Sequence, residues 1–227
     1  MPYGITDPNE LPTKPPMQIE AFYKAFPELR MKRYILFLAR FHEKKGCDLL
    51  VNAYLQVMKN SHEIIDLVMA GPDPNGIAKN LQKIVHHSDV SQRVHWVGEL
   101  RGDVKWGALR ACEVYALPSH QENFGISVVE SLSVGRPVLI SDQVNIFNEI
   151  SEDKSGFIDH DTMQGTINTL NQWMNLTEKD RCEMGDRARR TYLQRYAMSR
   201  TAQAINELFS EKTLHQESTS CAHVASV

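Results

Sequence analysis

The stretch PSHQENFGISVVESLSVGRP (residues 118–137) contains a polar loop that ends at Gly125 and an apolar segment that begins at Ile126. This order is typical of a strand-to-helix connection in which backbone N–H groups at the helix start hold an anion. Glu122 and Glu130 flank seven residues of the stretch. A carboxylate about two helical turns from Glu122 can face the same crevice. The stretch therefore predicts an anion site with two acidic side chains beside it.

Length and composition describe an ordinary globular protein. The chain has 227 residues, 42% of them hydrophobic, which is enough for one large domain and too apolar for a disordered chain. The net charge of −3 provides no broad basic field, so we expect no nucleic-acid partner. The four cysteines are scattered and the histidines form no ligand pattern, so we expect no disulfide framework and no metal. Without a signal peptide or a long apolar run, we expect a cytoplasmic protein.

Short apolar runs alternate with helical patterns along most of the chain. Such alternation is typical of βαβ units, and the continuous apolar run from Tyr34 to Ala39 suits a strand covered on both faces. We therefore predict an α/β fold, a Rossmann-like doubly wound parallel sheet of about six strands, with C-terminal helices. The predicted strands are 34–39, 66–70, 93–97, 113–117, 137–141 and 156–158.

Four segments follow from this pattern. Residues 1–30 are rich in proline, carry one short helical candidate near residues 19–25, and are interpreted as a hinge or linker rather than core. Residues 31–160 form the predicted Rossmann-like domain. Residues 161–212 are predicted as helices that pack on it, and residues 213–227 lack periodicity and are predicted to be a disordered tail.

Ligands of open α/β sheets bind beyond the carboxyl ends of the strands. Arg40 and Lys45 follow the first predicted strand, and the loop before Gly125 follows the fourth. Two cations and a helix start around one anion suit a diphosphate without a metal. The alternative is that Arg40 and Lys45 are solvated loop charges.

The two glutamates allow other interpretations. Glu122 and Glu130 resemble in spacing a general acid and base of a hydrolase, since glycosidase carboxylates lie roughly 5–10 Å apart. Alternatively, Glu130 is an ordinary helix residue, although its apolar neighbours predict a mostly buried helix in which a carboxylate needs a partner.

Three ordered motifs identify a family resemblance. They are P-S-x-x-E-N-F-G-I-x-x-x-E-(x)4-G-x-P-V, A-R-F-x-x-K-K-G-x-D-L-L and V-x-W-x-G-x-L, which start at Pro118, Ala39 and Val94. Together they resemble the C-terminal, nucleotide-sugar-binding domain of the family-4 retaining glycosyltransferases with the GT-B fold. The start, Pro2-Tyr3-Gly4-Ile5, is similar to the hinge that ends the first domain of that family.

The resemblance implies three catalytic residues. Arg40 and Lys45 would hold the donor diphosphate and stabilise the leaving nucleotide, and Glu122 would contact the transferred sugar. Glu130 would accept hydrogen bonds from the ribose, and Leu100 would touch the base. The full set of implied donor-binding residues is Leu100, Lys105, Asn123, Phe124, Gly125, Ile126 and Glu130.

The resemblance also implies a reaction and its partners. A hexose would pass with retention from a UDP-, GDP- or ADP-sugar to a glycan, lipid or other acceptor, without a cofactor or bound metal. The acceptor-binding first domain is expected to be absent, so we expect this chain to bind donor without efficient transfer. Any peripheral membrane association would come through that domain. The alternatives are a non-catalytic sugar-nucleotide or protein-binding module, and a domain like that of a sugar-nucleotide epimerase.

Three further patterns are interpreted as structural. Asp159-His160-Asp161 matches a metal-binding D-x-D, but it follows the sixth strand, far along the chain from the loop before Gly125, and is interpreted as a solvated turn. Asn175-Leu176-Thr177 is interpreted as a connection between helices with Thr177 as a cap. The tryptophans are interpreted as packing residues.

Overall fold

The computed structural model describes residues 4–59, 61, 63–200 and 203. Its centre is a sheet of six strands in the order β3-β2-β1-β4-β5-β6, and every neighbouring pair is parallel. The predicted fold class is confirmed. The strands are β1 (Tyr34–Leu38), β2 (Asp66–Ala70), β3 (Val94–Gly98), β4 (Val114–Leu117), β5 (Val138–Ser141) and β6 (Gly156–Asp159).

Burial along the strands follows their place in the sheet. Every residue of β1, β2, β4 and β5 is buried, because helices cover both faces of the sheet. The two edge strands, β3 and β6, are only partly buried. The chain builds the sheet outward from β1 in one direction and then from β4 in the other. The point where the order reverses lies between β1 and β4, and ligands of doubly wound sheets bind there.

Eight α-helices have both ends within the described part of the chain, and a single π-helical turn (Tyr192–Tyr196) and the helical residues 198–200 follow them. One of them, the six-residue helix at Phe147–Glu152, was not predicted, because six residues show no usable periodicity. The α-helices are α1 (Pro15–Ala25), α2 (Cys47–Lys59), α3 (Ile77–His86), α4 (Gly102–Ala111), α5 (Ile126–Ser133), α6 (Phe147–Glu152), α7 (Met163–Met174) and α8 (Glu178–Thr191).

The proline-rich start of the chain differs from its interpretation as linker. Helix α1 begins at Pro15, where proline is tolerated because the first N–H groups of a helix have no intrahelical acceptor. Its residue Phe22 is fully buried against α4, and Leu29, just beyond the helix, is fully buried as well. The prolines start this helix instead of preventing it, so residues 15–29 belong to the core.

Helices α1 and α4 approach closely at Gly107. A Cβ atom at this position would lie 2.1 Å from the carbonyl oxygen of Gln18 and 2.7 Å from the Cβ of Phe22. The side chain of Gln18 also accepts a hydrogen bond of 2.7 Å from Arg110 Nε on α4. The absence of a side chain at Gly107 therefore sets the distance between the two helices.

The two ends of the described chain meet. The backbone N–H of Ile5 donates to the carbonyl of Tyr196 at 2.9 Å, and the N–H of Met198 donates to the carbonyl of Ile5 at 3.0 Å. Asp7 forms an ion pair with Arg189 of α8. The first residues are thus attached to the C-terminal helices by a short parallel bridge.

The C-terminal part begins as predicted. Helix α7 lies within the stretch predicted as helical, and Thr177 caps α8 as predicted, in a capping box with Asp180. Residues 198–200 and Gln203 are helical, in the stretch predicted as helices, whereas the rest of residues 201–212 and the predicted tail of residues 213–227 lie outside the described residues. Among the described helices, none combines the length and apolar character needed to cross a bilayer.

Replacing Gly107 by alanine is expected to lower the free energy of unfolding by roughly 1–3 kcal/mol, because the added methyl group overpacks the α1–α4 contact. Thermal unfolding of the variant measures this loss. Gly76→Ala is the control, since a Cβ at Gly76 meets no atom within 4 Å and adds only the backbone cost of a φ of +72°. A melting temperature of G107A equal to or above that of G76A would contradict this account of the contact.

Candidate functional site

Two loops at the carboxyl edge of the sheet are packed backbone against backbone. They are the β1–α2 loop (residues 39–46) and the β4–α5 loop (residues 118–125). Gly46 has a φ of +62°, and a Cβ there would lie 1.9 Å from the carbonyl oxygen of Pro118. The carbonyl of Lys44 accepts from the N–H of His120 at 2.8 Å and from the hydroxyl of Ser119 at 2.6 Å. The loops on both sides of the switch point therefore form one surface.

Lys45 and Glu122 form an ion pair across these loops. Their side chains are 19% and 20% exposed, so both are partly withdrawn from water but open to it on one side. The neighbouring Lys44 instead donates to Oε1 of Gln121 at 2.8 Å. The structure thus brings together two of the predicted catalytic residues, and the adjacent lysine takes a separate partner.

A third loop holds the backbone of Glu122. The N–H of Glu122 donates to the carbonyl of Gln143 at 3.1 Å, and its carbonyl accepts from Asn145 at 3.0 Å. These bonds form a parallel bridge to Val144 in the β5–α6 loop (residues 142–146). This contact has no signal in the sequence, because the β5–α6 loop carries no recognisable pattern.

Helix α5 begins beside this ion pair. Gly125 precedes the helix in the left-handed conformation, with a φ of +70°. A Cβ atom at Gly125 would lie within 3.4 Å of the side chains of Val128, Val144 and Glu122. The first N–H groups of a helix have no intrahelical acceptor, and no side chain caps α5. Ile126, its first residue, is 59% exposed. The positive end of the helix dipole is therefore presented to ligands at the predicted anion site.

Glu130 lies further along α5 and is paired with Lys105 of α4. Lys105 Nζ donates to Glu130 Oε1 at 2.7 Å, and the two side chains are 24% and 15% exposed. The same ammonium lies 4.6 Å from the ring centroid of Trp106. The partner that a carboxylate needs on a mostly buried helix is thus a lysine of the neighbouring helix.

Tyr115 is a positioning residue that sequence analysis missed. Its fully buried phenol donates to the carbonyl of Leu38 at 3.1 Å and shares a hydrogen bond of 2.7 Å with Ser127 Oγ. Burial raises the pKa of this phenol well above its ordinary value, and the nearby carboxylates of Glu130 and Glu122 raise it further. Tyr115 connects the end of β1 to the first turn of α5. The signal that could have identified Tyr115 was a tyrosine within a predicted buried strand, because a buried hydroxyl group needs a hydrogen-bond partner.

The remaining predicted residues occupy different environments. Arg40 is exposed directly beyond β1, and Asn123 is exposed in the β4–α5 loop. Phe124 is half-buried, with its ring edge-on to Tyr196 at a centroid distance of 6.0 Å. Leu100 is only 7% exposed, so its side chain offers little surface to a ligand.

The charges of the site favour an anion with hydroxyl groups. Arg40, Lys45 and Lys105 supply three positive charges, and Glu122 and Glu130 supply two negative ones. The excess positive charge and the start of α5 lie at the same edge of the sheet. The carboxylates, each beside a lysine, are acceptors for hydroxyl donors. This arrangement can bind a phosphorylated, hydroxyl-rich molecule.

The Asp159-His160-Asp161 turn is closer to this site than its place in the sequence suggested. Asp161 accepts from His120 in the β4–α5 loop at 2.8 Å, and His160 pairs with Asp142 at 2.7 Å. Hydrogen bonding to Asp142 raises the pKa of His160 above its ordinary value. Both aspartates accept from other groups, Asp159 from Asn168 at 3.0 Å. Within the described residues, no group of three or more His, Cys, Asp or Glu side chains is arranged to hold a metal ion.

The tryptophans serve packing, as interpreted. Trp173 is 1% exposed in the core, and Trp96 contacts Phe41 with a centroid distance of 5.9 Å. Trp106 is partly buried against the core and lies beneath Lys105.

Comparison with known proteins identifies the family. The model of the family described as glycosyl transferases group 1 matches residues 19–191. A phosphatidyl-myo-inositol mannosyltransferase from Mycobacterium leprae is 29% identical over 126 residues, which are 55% of this chain and 32% of the relative. The chain spans between 31% and 46% of the length of the first curated relatives it matches.

Solved structures share the fold. HepE from Anabaena, crystallised with UDP-glucose, superposes with a TM-score of 0.73 at 20% identity, over 92% of this chain and 56% of HepE. The C-terminal domain of a group 1 family protein from Francisella tularensis superposes with a TM-score of 0.70 at 16% identity, over 86% of this chain and 100% of that domain. The family match covers most of the sequence, and these solved structures share the fold of this chain. The chain belongs to the group 1 glycosyl transferases, which have the GT-B type of fold.

Proposed function

We propose that this chain is the C-terminal, donor-binding domain of a retaining family-4 glycosyltransferase, and that it binds a nucleotide-diphosphate hexose. The observation that carries the proposal is the Lys45–Glu122 ion pair beside the start of α5. It places a cation, a carboxylate and a helix N-terminus at one point of the sheet edge, where the strand order reverses.

The diphosphate would be held between fixed positive groups. Lys45 and Arg40 would contact its oxygens, and the N–H groups of Gly125 and Ile126 would donate to them. When the bond between the anomeric carbon and the diphosphate oxygen breaks, negative charge builds up on the nucleotide. The same cations and the dipole of α5 stabilise that charge, which is the task a metal ion performs in other transferases. Metal-independent transfer is therefore part of the proposal.

The two carboxylates would bind the two sugars of the donor. Glu122 lies next to Lys45 and would accept from hydroxyl groups of the transferred hexose, which is attached to the diphosphate. Glu130 lies one turn beyond the start of α5 and would accept from the ribose hydroxyls, with Lys105 beside it. Hydrogen bonds from hydroxyls to ionised carboxylates are the strong kind.

The acceptor would be bound by the other domain of the GT-B architecture. The matched relatives are at least twice as long as the matching part, and the domain from Francisella tularensis, which the chain covers completely, is a C-terminal domain. Those observations support assigning this chain to the donor half. UDP is the first nucleotide to test, because HepE was crystallised with it.

Lys45→Ala is expected to weaken UDP binding by about tenfold or more while leaving uridine unchanged, because the ammonium meets only the diphosphate. Calorimetry with UDP, GDP, ADP and uridine measures both effects. Lys44→Ala is the matched control, since its ammonium contacts Gln121. If no nucleoside diphosphate binds, or if K44A and K45A bind UDP equally well, the site assignment is wrong and the chain is a non-catalytic module of the same fold.

Glu130→Ala is expected to weaken UDP and uridine alike, by about tenfold, because both contain the ribose that the carboxylate would accept from. The same titrations measure it. Glu130→Gln keeps an acceptor oxygen and is expected to bind more tightly than E130A. Uridine affinity that is the same in E130A and the wild type would place the ribose elsewhere.

The isolated 227-residue chain is expected to bind a UDP-hexose and to transfer none of it, because the acceptor site lies in the other domain. Product formation with glycan, lipid and simple alcohol acceptors tests this. Turnover that K45A abolishes would show that the chain is sufficient for transfer. Conversion of the bound sugar into its epimer would instead support the epimerase-like alternative.

A further inference from the structure

A second cavity lies at the opposite edge of the sheet from the donor site. It has a volume of about 1010 Å³ and is lined by residues that immediately precede strands. Arg33 precedes β1, Glu113 precedes β4, and Pro137 precedes β5, so the cavity is at the amino ends of these strands. Helix α8 forms its outer wall. Its volume is at the upper end of the range of small-molecule sites.

A buried positive charge without a carboxylate partner lines this cavity. Arg110 is only 8% exposed, and its guanidinium donates to three neutral oxygens. They are Gln18 Oε1 at 2.7 Å, the carbonyl of Pro8 at 3.2 Å and Asn9 Oδ1 at 2.9 Å. The nearby carboxylate of Asp7 is engaged in an ion pair with Arg189. A buried charge that lacks an opposite charge destabilises the fold, so an anion beside Arg110 would relieve that cost.

The guanidinium of Arg136, a partly buried residue, is adjacent. Arg136 donates through Nη2 to the backbone carbonyl of Arg110, and its Nε is buried without a hydrogen-bond partner in the described part of the chain. Burial lowers the pKa of Arg110, and the positive charges of Arg189 and Arg136 lower it further, while Asp7 acts in the opposite direction. Among the described residues, neither of these two guanidiniums forms an ion pair with a carboxylate. The other arginines of the cavity, Arg33, Arg181 and Arg189, each do.

Two further residues that line the cavity carry N–H groups without a hydrogen-bond partner among the described residues. Trp173 is 1% exposed, and its indole Nε1 has no hydrogen-bond partner among the described residues. The guanidinium of Arg181 lies 5.4 Å from the centroid of that ring, and its Nε is likewise buried without a partner. Buried donors are almost always paired in proteins. Three residues that line the cavity, Arg136, Trp173 and Arg181, thus carry N–H groups without an acceptor among the described residues.

We propose that this cavity binds a phosphate-bearing small molecule, with the phosphate between Arg110 and Arg136. Guanidinium groups match the geometry of phosphate oxygens, and a doubly charged phosphate balances two guanidiniums. The site is separate from the donor site, because it lies at the other end of the strands, and it does not depend on the proposed transferase function.

Inorganic phosphate is the probe that tests the site. Titration into the full chain at constant ionic strength, with chloride as the balancing anion, is expected to give saturable binding. Arg136→Gln is expected to weaken that binding by roughly tenfold, the usual effect of losing a charged hydrogen bond. Arg190→Gln is the matched control on α8, because Arg190 is exposed and does not line the cavity. Lys45→Ala controls for phosphate at the donor site.

Each result of these titrations either supports or contradicts the phosphate site. A component of phosphate binding that is lost in R136Q and kept in both R190Q and K45A supports the proposal. So does a phosphate-dependent shift of the Arg136 Nε–Hε nuclear magnetic resonance signal, identified by its loss in R136Q. No saturable binding, equal losses in R136Q and R190Q, or a loss in K45A alone would overturn it. The donor site is tested separately, by UDP binding to K45A and E130A, so failure here leaves those tests unaffected.

Discussion

The contact between Gly46 and Pro118 is the constraint on which the site depends. The carbonyl of Pro118 occupies the space that any side chain at residue 46 would need, and the positive φ of Gly46 turns the chain there. Only glycine satisfies both conditions without strain. Lys45 immediately precedes Gly46, so the position of its backbone is set by this contact and not by its own side chain. The close approach of the two loops allows Lys45 to pair with Glu122. It also leaves the start of α5 accessible to ligands beside that ion pair.

Local patterns were sufficient to predict the layers of the fold. The apolar run of β1 reflects the environment of a single element. The capping box of α8 is also a signal contained within a few residues. The docking of α1 was not predictable in this way, because it depends on Gly107, about 90 residues away in the sequence and unremarkable by itself.

The candidate site shows the same division. The two loops and the start of α5 were predicted, because ligand sites of this sheet type lie at strand ends. The partners of the predicted residues were not, because ion pairs such as Lys105–Glu130 join separate helices. The bridge from Glu122 to Val144 and the contact from Asp161 to His120 also join distant segments. Such contacts have no local signature in a single sequence.

The attachment of Ile5 to Tyr196 has a consequence for how the domain folds and opens. The two backbone hydrogen bonds of Ile5, to the carbonyl of Tyr196 and from the N–H of Met198, close a loop of nearly the whole described chain. Forming so large a loop has an entropic cost that grows with its length. The sheet consists of closer pairings and needs neither bond. We therefore expect this junction to form after the sheet and to open before it. When this junction opens while the core stays folded, the first residues of the chain can change direction relative to the rest of the domain.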